Sequence, residues 1–198
     1  MRRNAMLIGG LLVMAAPVQG QVGSVSPEAM RKLDFLIGDW SGEAWYAMGP
    51  EGRTESRGTE QVRMKAGGAA LMVEGRFSTV GPDGEERVVH DALGIIAPDP
   101  AGGYRIRSFL ADGRQGESKL ELTEEGFRWE LEIPGQGVTR YTMRLTPAGE
   151  WVETGEFSRD GGRTWMEFME MRLVRDEPVS RGIQSEGRPR RAGALQMR

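Results

Sequence analysis

The chain has 198 residues, 38% hydrophobic and 28% charged, with 26 Lys and Arg against 29 Asp and Glu, a single His and no Cys. That length suits one domain with its own core, and the absence of Cys excludes disulfides, thiolate metal sites, iron–sulfur clusters and a cysteine nucleophile. One His excludes a multi-histidine centre, while five Trp, six Phe and three Tyr exclude a wholly disordered chain.

Arg2 and Arg3 precede an uncharged run from Ala5 to Ala16, and Pro17-Val18-Gln19-Gly20 follows as a small-residue exit. This order is that of a signal peptide over 1–20, cut between Gly20 and Gln21. About 12 apolar residues at about 1.5 Å each reach about 18 Å, short of the ~30 Å of a hydrocarbon core, so the segment reads as a cleaved signal rather than an anchor. The product is expected to be periplasmic or secreted, with no stable membrane span once the signal is removed. After a linker over 21–26, Ser26-Pro27-Glu28 starts a helix: Ser caps free N–H groups, Pro suits the first helical position, and Glu favours the positive end of the dipole. Met30, Leu33 and Phe35 or Leu36 share one face, and Gly38 ends the helix.

Beyond Gly38 the chain alternates with period two between turn signals such as Gly81-Pro82-Asp83-Gly84, Asp112-Gly113 and Pro134-Gly135. The pattern predicts ten strands, over 39–48, 54–66, 69–79, 85–97, 103–111, 115–122, 126–133, 137–146, 150–158 and 163–175. Phe127, Trp129, Leu131 and Ile133 lie opposite Arg128, Glu130 and Glu132, and Tyr141, Met143 and Leu145 opposite Arg140, Thr142 and Arg144. Short antiparallel strands with one apolar face close either as an up-and-down barrel or as a two-sheet sandwich. Hairpin-length links favour the barrel, so the predicted fold is all-β: a single up-and-down antiparallel barrel of about ten strands over 27–175, preceded by one short helix. A disordered basic tail over 176–198 is expected, with five Arg against Asp176, Glu177 and Glu186. From Gln21 to Arg175 the net charge is −7, which gives no electrostatic case for binding nucleic acid.

Gly38-Asp39-Trp40 opens the first strand, and the last ends Met171-Arg172-Leu173-Val174-Arg175. This pairing resembles the lipocalin, or calycin, arrangement, which implies that Gly38, Trp40 and Arg175 form a barrel-end motif in which Trp40 plugs the end and Arg175 packs over it. The string from Leu33 to Glu43, with the ending GEFSRDGGRTWMEFMEMRLVR, resembles exported bacterial lipocalin-like proteins grouped as a domain of unknown function. A more distant similarity is to nitrobindin-like heme barrels, which share the F-L-x-G-x-W opening. Those barrels hold heme through a His near the chain's end; here that strand offers Trp165, Met169, Met171 and Arg175, so heme binding is not carried across. Ser158 to Trp165 fits the Asp-box pattern S-x-D-x-G-x-T-W and reads as the turn of the last hairpin.

Among candidate site residues, His90 falls in phase with Val88, Ala92 and Ile96. It is either an inward ligand or base, or a hydrogen-bonded structural residue. Met72, Met143, Met169 and Met171, with Trp129 and Tyr141, are candidates to line a ligand cavity, although Met also fills cores. Glu153 with Glu156, and Glu167 with Glu170, stand three apart, which sends the members of each pair to opposite faces and points to outward pairing with Arg. No nucleophile elbow, phosphate loop or dinucleotide fingerprint occurs, so no catalytic residue is assigned. No cofactor is required, and no metal ligand is expected unless His90 holds heme. The expected function is non-catalytic uptake of a small hydrophobic or amphipathic molecule. The alternatives are a heme or porphyrin barrel with nitrogen-oxide or redox chemistry through His90, and a side-chain-filled barrel acting through its rim. Oligomeric state is left open.

Overall fold

The computed structural model describes residues 27–47 and 52–177. The expected signal peptide with its Gly20/Gln21 cut, the expected linker with the Ser26 cap, and the tail beyond residue 177 lie outside the described residues. A single turn of helix, α1 (Pro27–Met30), runs into a 3-10 segment, Arg31–Leu36. The tighter segment has a structural reason: with three residues per turn, Leu33 and Leu36 eclipse each other, and both are buried completely.

The strands are β1 (Gly38–Tyr46), β2 (Thr54–Lys65), β3 (Ala70–Val80), β4 (Glu86–Pro98), β5 (Tyr104–Leu110), β6 (Gln115–Leu122), β7 (Gly126–Ile133), β8 (Gly137–Leu145), β9 (Trp151–Ser158) and β10 (Met166–Arg175). They form a closed antiparallel barrel in which each strand pairs with its neighbours in sequence and β1 closes on β10. The up-and-down barrel is therefore the architecture, and the sandwich is excluded. Closure leaves no unpaired sheet edge. On the outer wall, cross-strand ion pairs such as Arg57 to Glu43, Arg128 to Glu121 and Arg140 to Glu156, each 2.8 Å, face solvent in part and contribute at most about 1 kcal/mol apiece.

Three departures from simple alternation matter. β10 starts at Met166 rather than 163 because Asp160 organises the preceding turn: its carboxylate accepts from the Arg163 and Thr164 amides at 2.9 Å and from the Thr164 hydroxyl at 2.7 Å. These donors, the Thr164 amide first, hold the Asp160 carboxyl down at about 2. A bulge between Glu167 and Met169 lets Phe168 turn into the buried set. A second irregularity shifts the β3–β4 register between the pairs Phe77–His90 and Ser78–Val88. It corrects one expectation: His90 stays in phase with Ala92 and Ile96, but Val88 turns outward and is 47% exposed.

Candidate functional site

The two ends of the barrel differ. At one end, α1 and the 3-10 segment lie across the opening with Met30, Leu33 and Leu36 buried beneath them. Short helical pieces leave carbonyls unpaired, and three strand side chains satisfy them. The Trp40 indole N–H donates to the Leu36 carbonyl at 2.8 Å, Arg175 donates to the carbonyls of Phe35 (2.6 Å) and Ile37, and the Tyr104 hydroxyl donates to Ala29. Trp40 is 1% exposed, with the Arg175 guanidinium 4.0 Å from its ring centroid and Trp151 edge-on at 5.6 Å. A Cβ on Gly38 would stand 2.3 Å from the Arg175 Nη1, so the approach of that guanidinium requires glycine there.

At the opposite end, inward-facing rings stay partly open. His90 is stacked against Tyr46 (6.3 Å) and meets the edge of Phe77 (6.0 Å); Trp129 stacks on Tyr141 (5.0 Å), which meets Phe168 edge-on (5.9 Å). Along β4 the inward row passes from buried Ile96 to half-buried His90 and along β7 from buried Phe127 to half-buried Trp129, while on β8 half-buried Tyr141 stands between buried Met143 and buried Thr139. Exposure therefore rises toward this mouth along β4 and β7, with Tyr141 left half-open on β8. Burial lowers the His90 pKa; Asp91 opposes this, and Arg114, near the mouth, adds a smaller push downward.

Between plug and mouth sit two carboxyls on inward rows. Glu60 of β2 is in phase with buried Ser56 and Val62, and Glu153 of β9 is in phase with buried Trp151. Glu60 leans over Gly75, where a Cβ would meet its Oε1 at 2.3 Å, so glycine makes room for the carboxyl. Burial pushes the Glu153 carboxyl up to about 7, against a weak opposing donation from the Trp151 indole at 3.3 Å. Glu60 lies well above the usual carboxylate range through burial first and the field of Glu153 second. Tyr46 and Tyr141 are raised as well, by burial and then by Glu153.

The expectations divide accordingly. His90, Trp129 and Tyr141 lie on inward rows toward the mouth, His90 against Tyr46 and Trp129 against Tyr141, while Met143 and Met171 are buried on the inner wall below and buried Met169 lies level with Tyr46. Met72 does not join them: it alternates with buried Leu71 and shares its row with Arg63 and Ile95, on the outward side. Glu156 pairs outward with Arg140 and Glu170 with Arg172, but Glu153 corrects the outward reading because it points inside. Glu60 was missed altogether, although its phase with Val62 and Met64 is a signal present in the chain.

Among the described residues no group of three or more His, Asp or Glu side chains is placed to hold a metal ion, and no helix is long and apolar enough to cross a membrane. Two outer clefts, of about 490 Å³ against β2 to β5 and about 640 Å³ beneath the plug, lie outside the barrel interior.

No protein-family model and no curated protein matches this chain. Fifteen chains of solved structures do. One is the crystal structure of Rv2717c from M. tuberculosis, similar at a TM-score of 0.55 and 15% identity over 78% of this chain and 100% of that one. At that identity the likeness shows a shared barrel fold.

Proposed function

We propose that this chain is an exported, lipocalin-like binding barrel that takes up a hydrophobic or amphipathic small molecule through its open end and catalyses no reaction. The observation that carries the reading is the asymmetry of the inward rows, sealed at the Trp40 end and rising in exposure toward Tyr46, His90, Trp129 and Tyr141. Aromatic rings left half-open inside a barrel offer apolar area to a ligand where water otherwise stands.

Nile red, neutral and environment-sensitive, tests this. One equivalent is expected to bind with blue-shifted emission, and Trp129→Ala combined with Tyr141→Ala is expected to weaken uptake about tenfold or more. Unchanged uptake in that variant, or uptake only by unfolded protein, would remove the mouth from consideration.

A second reading, heme held by His90, has one observation in its favour: the imidazole faces inward and burial lowers its pKa, which favours the neutral form that can ligate. Hemin titration is expected to give only a broad, weak band that His90→Ala leaves unchanged. A sharp one-equivalent Soret band abolished by His90→Ala would replace the first reading.

Export rests on the N-terminal residues. Protein recovered from outside the cytoplasm is expected to begin at Gln21 on N-terminal sequencing, and an intact Met1 on that material would point to an anchor.

A further inference from the structure

Deepening that reading, we infer that the ligand is an amine: a molecule with an apolar or aromatic body and one protonated amino group seated against Glu60 and Glu153. Charge inside the barrel is out of balance. Two carboxyls are buried there, and no Lys or Arg among the described residues pairs with either. Buried carboxyls ordinarily come with a cation or a full set of donors, because an unpaired charge in a low-dielectric interior is strongly unfavourable. Here Glu153 receives one long hydrogen bond from Trp151, and no hydrogen bond reaches Glu60 from the described residues.

The carboxyls are not sealed in. Glu60 keeps 7% of its surface and Glu153 8%, and no fully enclosed side-chain polar atom among the described residues lacks a partner. The unbonded Glu60 oxygens therefore keep some accessible surface rather than being walled off. Gly75 is what allows that carboxyl to lie against the wall of β3. Apolar side chains of similar volume at both positions would give a more stable barrel, so the pair is a feature whose benefit lies outside folding.

The mouth fits the same class of ligand. Tyr46, Trp129 and Tyr141, the last with buried Phe168 edge-on to it, present rings above the carboxyls, a surface on which an organic cation gains both apolar contact and attraction to π-faces. Arg114, the cation whose field reaches His90 and Tyr141, stands beside the mouth and leaves the carboxyls below it unpaired. An ammonium group carried to the floor by an aromatic body supplies the missing positive charge, and each carboxylate can accept a charge-assisted hydrogen bond from it. An anionic ligand would meet two like charges there.

The test compares tryptamine with tryptophol, which share the indole and ethyl chain but carry an ammonium and a hydroxyl respectively, on the full-length mature protein at pH 8. Each is titrated calorimetrically and by displacement of Nile red. Tryptamine is expected to bind at least about tenfold more tightly, and in E60Q/E153Q, a near-isosteric pair of changes, this preference is expected to shrink to within about twofold while Nile red still binds. If Nile red binds but tryptophol equals tryptamine, or if the preference survives E60Q/E153Q, the amine assignment is wrong and the binding barrel stands. Saturation of the carboxyls by calcium chloride, and not by tryptamine, would overturn the amine in the same way. Failure of Nile red and of both indoles overturns the binding barrel together with the amine; tryptamine binding without Nile red uptake upholds the amine site and rejects a broad apolar hollow.

Discussion

Trp40→Ala is expected to lower the unfolding free energy by about 3–5 kcal/mol, measured by urea denaturation at neutral pH, because a fully buried indole leaves a cavity that the barrel wall cannot close. The loss has two further parts. The Leu36 carbonyl loses its indole donor, and the Arg175 guanidinium loses the ring face beneath it. Trp40→Phe separates these contributions, since it keeps most of the apolar area and removes the N–H; it is expected to lose about 1–2 kcal/mol. A loss below about 1 kcal/mol for Trp40→Ala would mean that the plug is held by its leucines alone.

E60Q/E153Q is expected to be more stable than the unaltered protein at pH 8 and nearly equal to it at pH 5. A carboxyl whose folded pKa is raised binds its proton more tightly in the native state than in the unfolded chain, so stability falls as pH rises from the unfolded value through the folded one. For Glu153 that window runs from 4.5 to about 7, worth about 3 kcal/mol, and Glu60 acts in the same direction. The groups around the pair are Tyr46, Tyr141 and the Trp151 indole, none of which titrates in this window; His90, lowered by burial, removes stability on acidification below its ordinary value. His90 and the outer-wall acids act equally in both proteins, so the difference between them isolates the pair. A difference constant from pH 5 to pH 8, in parallel urea titrations, would show that the carboxyls do not retain their protons on folding.

The strands were legible wherever alternation was strict, as in Phe127-Arg128-Trp129-Glu130, because one face is charged and the other apolar. Glu60 and Glu153 were not, because a charged residue on a strand suggests the outer wall and only its phase with Val62 or Trp151 says otherwise. Met72 shows the opposite error: its chemistry suits the interior and its phase does not. Val88 could not be placed from its own strand, since the irregularity that turns it outward exists only in the pairing of β4 with β3. The difference between plugged end and mouth was legible only in part. Gly38-Asp39-Trp40 marks the sealed end, but a period of two reports in or out and carries no information on height along the barrel.

The seam between β1 and β10 joins the first strand to the last, and beside it Ser41 bonds to Asp176 at 2.5 Å across 135 residues of chain. The same seam carries the plug, since Arg175, the final residue of β10, fastens the carbonyls that precede β1. Barrel closure and end closure are therefore a single event that waits for the last strand. Contacts this distant in sequence slow folding. A chain emerging from a ribosome keeps two open strand edges, at β1 and at the newest strand, until residue 175 is free, and during that interval another copy can pair with either edge. Both the vulnerability of the young chain and the freedom of the finished barrel from edge-to-edge association come from one pair of strands.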